Sequence, residues 1–136
     1  MTKTSALEWI INIDKEATIL HYEDSSTDLC DCANCRNYVA AFPQHFPKQF
    51  FQILQIIAIN PLKPAHISEV CKDKNNNHMY IGNYDFIGTI LKEPNDQPQR
   101  REKFSLDILG KAPKLNLQFS VIIPWILDEE SESVPC

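Results

Sequence analysis

Three cysteines stand within six residues of the chain, in the run Cys30-Asp31-Cys32-Ala33-Asn34-Cys35. A Cys-x-x-Cys turn brings two sulfurs close enough to share one tetrahedral Zn²⁺, and thiolates are preferred zinc ligands. Cys30 can supply a third sulfur if the loop curls back. No other segment is as dense in reactive side chains, so this run is the candidate site.

A tetrahedral site needs a fourth ligand from outside the cysteine run. His21, nine residues upstream of Cys30, is the first candidate. The alternatives are Cys71, His45, His78 and Asp28. A zinc ribbon would show two Cys-x-x-Cys pairs, and this chain has one. The sequence therefore predicts a metal site formed by Cys30, Cys32, Cys35 and His21, with zinc as the metal.

The same cysteines are compatible with other chemistry. Redox activity is favoured because Cys32 and Cys35 precede a predicted helix, whose N-terminal dipole lowers the pKa of a thiol. Negative charge nearby opposes thiolate formation, and the acidic neighbours are Glu23, Asp24, Asp28 and Asp31. An iron–sulfur cluster needs a fourth cysteine, for which Cys71 is the candidate. Inert packing is the last alternative, since a free cysteine behaves as a small hydrophobe.

Two short runs, His21-Tyr22-Glu23 and Cys32-Ala33-Asn34-Cys35, resemble the His-x-Glu and Cys-x-x-Cys halves of zinc-dependent nucleoside deaminases. The resemblance implies that His21 and both cysteines bind zinc while Glu23 moves protons. However, Asp31 stands where that family has Pro. Only about eight residues separate the two halves, too few for the strand and turn that join them in that family. These departures argue against a deaminase.

The composition excludes several function classes. The net charge is −5 and the pI about 5.3, whereas nucleic-acid binding depends on Lys and Arg to neutralise phosphates. Glycine occurs only at positions 82, 88 and 110, so no Gly-rich phosphate loop can form. The N-terminus shows no signal peptide, and the most apolar segment, 50–59, is too short to span a bilayer. We expect a cytoplasmic protein that binds neither nucleic acid nor membrane.

Hydrophobic periodicity predicts the elements that position the cysteines. Runs 9–13 and 18–22 are β-prone and predict a hairpin leading into a loop at 23–28. Residues 36–42 predict a short helix, and a second, largely buried helix begins near Pro47 and ends at Asn60. Residues 63–71 are ambiguous between helix and strand. Alternation predicts one long or two short strands at 78–91 and a hairpin joining 104–108 to 115–123.

These elements predict an α+β fold. Its antiparallel sheet contains two hairpins plus a central long strand, with one or two helices packed on one face. Residues 1–136 form a single globular domain, and the acidic C-terminal tail from about 128 is a solvated, frayed end. A sheet of this kind can expose an edge strand to a protein partner or to a second copy in a homodimer.

The run Cys30-Asp31-Cys32-Ala33-Asn34-Cys35-Arg36-Asn37-Tyr38 resembles a group of small uncharacterised bacterial proteins. The resemblance extends to an apolar helix, to Pro-Leu-Lys-Pro at 61–64 and to Tyr-x-Gly-x-Tyr at 80–84. It implies a bacterial cytoplasmic protein and carries over no activity. The function we expect is a non-enzymatic domain whose cysteine-rich turn staples the fold or binds zinc. The alternative is a thiol-dependent or metal-dependent enzyme that uses Cys32 and Cys35.

Overall fold

A computed structural model describes residues 1–24 and 29–136. These residues form three helices, α1 (Lys15–Asp24), α2 (Ala33–Ala41) and α3 (Lys48–Ile57). They also form seven strands: β1 (Thr2–Ala6), β2 (Trp9–Ile13), β3 (His66–Lys72), β4 (Asn77–Lys92), β5 (Gln99–Arg100), β6 (Phe104–Lys111) and β7 (Lys114–Pro124). The strand order is β1-β2-β4-β7-β6-β5, and β3 also pairs with β4. Every pairing between these strands is antiparallel, so the predicted α+β fold is confirmed.

The long central strand and the final hairpin follow the predicted alternation. β4 is one strand of 16 residues, and β7 pairs with it from Asn77 opposite Pro124 to Ile87 opposite Lys114. β6 and β7 form the predicted hairpin, closed by Lys111 opposite Lys114. The ambiguous segment before residue 72 is strand β3, at the edge of the N-terminal half of β4.

The predicted hairpin over residues 9–22 is wrong. Trp9–Ile13 is a strand, but its hairpin partner is β1, and the following residues form helix α1. Asp14 starts this helix, because its Oδ1 accepts a hydrogen bond from Ala17 N at 3.0 Å. The β propensity of the run 18–22 is overridden by packing, since Thr18 and Tyr22 are buried against the sheet.

Helices α2 and α3 cover one face of the sheet. Phe50 of α3 packs against Phe104 and Phe119, with ring centroids 5.6 Å and 5.2 Å apart. Tyr38 of α2 packs against Tyr80, and its hydroxyl lies 2.5 Å from that of Tyr84. α3 starts at the predicted proline but ends earlier than Asn60, at a left-handed Ala58. None of the helices in the described ranges is long and apolar enough to cross a membrane.

Helix α1 closes a gap in the edge of β4. Along this edge β3 pairs as far as Asn83, and β2 begins opposite Gly88. Between them, Thr18 Oγ1 accepts the Ile87 N–H at 3.0 Å. The Tyr22 hydroxyl donates to the Asp85 carbonyl at 2.5 Å. Two backbone groups of β4 in the gap are therefore bonded to side chains of a helix rather than to a strand.

The acidic tail is bonded to the body of the protein rather than frayed. Residues 125–136 follow β7, and we call them the C-terminal strap. Lys72 N donates to the Val134 carbonyl and Cys136 N donates to the Lys72 carbonyl, both at 2.9 Å. A disulfide joins Cys136 to Cys71 across a sequence separation of 65. These bonds fix the end of the chain beside β3.

Candidate functional site

The cysteine turn is shaped by the start of helix α2. Cys32 is the N-cap residue, and its sulfur accepts a hydrogen bond from Cys35 N at 3.5 Å. Cys30 lies beside it, because its sulfur accepts from Cys32 N at 3.2 Å. The three sulfur atoms lie within 4.8 Å of one another, which is close enough to bind one metal ion. The predicted curling of the loop is thus present.

The sulfurs differ in exposure and acidity. Cys30 and Cys32 are exposed, whereas Cys35 is 7% exposed. Partial burial acts to raise the pKa of Cys32, but hydrogen bonds from Cys35 N–H and from the Cys30 thiol outweigh it and lower this pKa. Burial raises the pKa of Cys35 to about 12, helped by the hydrogen bond to Cys32 and by its charge. The helix start therefore favours a thiolate at Cys32 despite the acidic neighbours.

This asymmetry predicts a pH-dependent labelling pattern in metal-free protein. Because alkylation requires the thiolate, Cys32 should react with iodoacetamide at a pH below the ordinary thiol range of about 8.5. Cys35 should stay unlabelled at the same pH. Tandem mass spectrometry of the 29–36 region after timed labelling measures both rates. Equal rates at Cys32 and Cys35 across pH 6–9 would contradict the assigned order of acidity.

Asn37 holds helix α2 in place. Its side chain is fully buried, and Nδ2 donates to the Pro124 carbonyl at 3.1 Å. Its Oδ1 accepts from Ile126 N at 2.8 Å. One turn earlier, the Asn34 carbonyl accepts from the Tyr80 hydroxyl at 2.6 Å. The helix that carries Cys35 is thereby tied to β4, to the end of β7 and to the beginning of the strap.

Arg36 links the turn to the strap on the surface. Its guanidinium lies 2.7 Å from a carboxylate oxygen of Glu129 and 3.7 Å from one of Asp31. Its Nε also donates to the Asp31 carbonyl at 3.2 Å. This side chain is therefore engaged mainly with carboxylates and the backbone, while its positive charge also interacts with Cys32.

A groove of about 660 Å³ runs beside Cys32. Its walls come from the start of α2, from β3 and from the strap. The lining residues are Cys32, Ala33, Asn34, Glu69, Val70, Glu129, Glu130, Glu132, Ser133 and Val134. Five of these ten residues belong to the strap, so the shape of the groove depends on where the strap lies.

The structure sorts the candidates for the fourth ligand. Cys71 is disulfide-bonded to Cys136 and has no free thiolate. His45 is exposed after α2, and Asp28 lies outside the described residues. His21 lies in the last turn of α1, with its ring 5.1 Å from that of Tyr22. Among the described residues, the potential metal-ligand atoms that lie close together belong to Cys30, Cys32 and Cys35. His21 as the fourth ligand therefore stays a prediction.

His78 is neither a surface residue nor an available ligand. It is fully buried, and Nδ1 lies 2.7 Å from Glu69 Oε2 while Nε2 lies 3.1 Å from Asn76 Oδ1. Ser133 of the strap donates to the same Glu69 oxygen. The ring of Trp125 packs on the imidazole, with centroids 4.8 Å apart. Contacts on both ring nitrogens and on the ring face therefore orient this histidine.

This buried network and the disulfide are the parts of the site region that sequence reasoning missed. Glu69 and His78 are nine residues apart, and only the pairing of β3 with β4 brings them together. Position 133 gives no signal in the sequence, because a serine within an acidic run is typical of solvated chain. Comparison with known protein families, with curated proteins and with solved structures finds no match.

Proposed function

We propose that the turn formed by Cys30, Cys32 and Cys35 binds one zinc ion, which staples the loop before α2 to the first turn of that helix in a non-enzymatic domain. The observation that carries this proposal is the approach of the three sulfurs to within 4.8 Å. Two sulfurs bound to one Zn²⁺ at about 2.3 Å lie about 3.8 Å apart in tetrahedral geometry. A contraction of about 1 Å in an exposed turn is enough to reach it.

Backbone donors on the sulfurs support the same proposal. A metal-bound thiolate is stabilised by outer hydrogen bonds that offset its charge. Here Cys32 N donates to the sulfur of Cys30, and Cys35 N donates to that of Cys32. The turn thus provides two ligands with such donors before any metal is considered. His21 remains the predicted fourth ligand, and the family resemblance of the turn remains a prediction that this proposal does not use.

The surroundings of the turn favour a structural role over a catalytic one. The buried histidine of this region, His78, has an oxygen atom within hydrogen-bond distance of each ring nitrogen. Arg36 is held by Glu129. Neither side chain is free to move a proton at Cys32. In contrast, α2 is anchored through the fully buried Asn37, which is the support a structural staple needs.

Metal analysis tests the proposal. Protein purified without a histidine tag should contain about one zinc per chain, and Cys32→Ser or Cys35→Ser should lose it. With free zinc held at a hundred times its Kd, the wild type should be about 2.7 kcal/mol more stable than the same protein in a chelator. Urea unfolding with and without a chelator measures the loss. The matched control is Cys71→Ser/Cys136→Ser, which removes two cysteines elsewhere and should keep the zinc.

A second function is favoured by the approach of the exposed Cys32 sulfur to within 4.8 Å of the buried Cys35 sulfur, together with the opposite directions of their pKa shifts. An exposed cysteine of lowered pKa beside a buried one of raised pKa suits a thiol that attacks and a thiol that resolves. If the purified protein holds no metal and Cys32 forms a reversible disulfide with Cys35 in a redox buffer, this alternative replaces zinc binding. Absence of metal together with unreactive thiols would contradict both.

A further inference from the structure

The C-terminal strap holds together the surface beside the cysteine turn. It forms half of the groove lining, and its first residues are bonded to α2 through Asn37 and Ile126. Glu129 extends this contact to Arg36. The strap therefore touches the helix that carries Cys35 at one end and β3 at the other.

The other end of the strap contacts side chains on both faces of strand β3. Glu69 pairs opposite Tyr80, and Cys71 pairs opposite Met79. Adjacent residues of β4 point to opposite faces of the sheet, so the side chains of Glu69 and Cys71 do as well. Ser133 bonds Glu69 on one face, whereas Cys136 bonds Cys71 on the other.

The bonds that hold this end are unequal. Two backbone hydrogen bonds join Lys72 to Val134 and Cys136, and one hydroxyl joins Ser133 to Glu69. Each such bond is individually weak in water, and the strap has no helix or strand of its own. The covalent bond between Cys71 and Cys136 is therefore the contact that keeps the strap closed.

We propose that the Cys71–Cys136 disulfide is a redox latch, and that its reduction releases the strap and opens the groove beside Cys32. As a form of regulation, the latch rests on the proposed function, because opening the groove regulates the protein only where the cysteine turn is its functional site. Release removes the wall formed by Glu129, Glu130 and Ser133. It also uncovers Glu69, whose side chain is 4% exposed in the closed form.

Opening follows from thiol–disulfide exchange with a dithiol reductant. One thiolate of the reductant attacks the sulfur of Cys136, which is exposed, and Cys71 leaves as a thiolate. The second reductant thiol attacks the mixed disulfide and releases Cys136, while the reductant closes its own disulfide. Two electrons and two protons pass from the dithiol to the two cysteines.

Proteolysis of the native protein tests the latch. A Glu-specific protease should cut after Glu129, Glu130 or Glu132 at least tenfold faster in Cys71→Ser/Cys136→Ser than in the wild type, because a released strap can enter the protease. With any metal removed from both samples by a chelator, a bulky maleimide should label Cys32 faster in the same variant than in the wild type. Ile108→Ala controls for global stability, since it leaves a cavity in β6 and keeps the strap bonds.

The outcomes test the redox latch separately from the zinc staple. Equal cleavage in the variant and the wild type, or equally fast cleavage in Ile108→Ala, would overturn the latch whatever the metal content. Fast cleavage in the disulfide variant alone, in protein that holds no zinc, would support the latch and reject the zinc staple. Treating wild-type protein with a dithiol before digestion should reproduce the behaviour of the variant.

Discussion

Replacing both Cys71 and Cys136 with serine should lower the free energy of unfolding by about 4 kcal/mol. The disulfide spans a sequence separation of 65, and closing a loop of that length removes about 4 kcal/mol of chain entropy from the unfolded state. Measured losses for native disulfides fall at about 2–5 kcal/mol. Urea unfolding of the oxidised wild type and the double variant, fitted with separate slopes, measures the difference.

The control is Cys30→Ser, an exposed cysteine outside the disulfide. With the metal removed by a chelator from every sample, this variant should unfold at the same urea concentration as the wild type. Wild-type protein reduced by a dithiol should match the double variant. A loss below about 1 kcal/mol would show that the disulfide constrains the unfolded chain far less than a loop of this length predicts.

Asn37→Ala should lower the free energy of unfolding by about 2–4 kcal/mol. The substitution removes the donor to the Pro124 carbonyl and the acceptor for Ile126 N. Both backbone groups are part-buried, so the loss of each bond costs about 1–2 kcal/mol, the lower part of the range for a buried group, and two are affected. Because these bonds anchor α2, labelling of the buried Cys35 should accelerate as well. Urea unfolding and thiol labelling measure the two effects.

Asn34→Ala is the matched control, since it changes the same residue type one turn earlier on α2. Among the described residues no hydrogen bond involves the Asn34 side chain, and alanine keeps the carbonyl that accepts from the Tyr80 hydroxyl. The expected loss is within about 0.5 kcal/mol. If Asn34→Ala and Asn37→Ala cost the same, then Asn37 does not anchor the helix through its side chain.

Much of the sheet could be predicted from the sequence because its strands alternate cleanly. β6 and β7 place one residue in two toward the helices, with Leu106, Ile108 and Leu117 buried. The helix that begins near Pro47 is equally predictable from the sequence, because its apolar residues share one face. Such periodicities are local, so they survive without knowledge of the partner element.

The failures come from interactions that local patterns do not contain. Residues 18–22 are β-prone, but Asp14 caps a helix there and Tyr22 finds a carbonyl on β4. β1 lacks a hydrophobic run, and its burial comes from Ala6. The turn of Cys30, Cys32 and Cys35 was predicted because its residues are adjacent in sequence. The disulfide between Cys71 and Cys136 joins residues separated by 65 positions, with four strands between them in the chain. No local spacing pattern predicts such a pairing.

The way helix α1 closes the edge of β4 has a consequence for how the protein meets other chains. An open stretch of strand edge is a template for pairing with a foreign strand, and natural proteins usually cover such stretches. At the gap between β3 and β2, the Ile87 N–H and the Asp85 carbonyl already have partners in Thr18 and Tyr22. An incoming strand would have to displace Thr18 from the Ile87 N–H and compete with Tyr22 for the Asp85 carbonyl. The side chains of Thr18 and Tyr22 thus disfavour pairing of a foreign strand with the middle of the sheet, which is a route to aggregation.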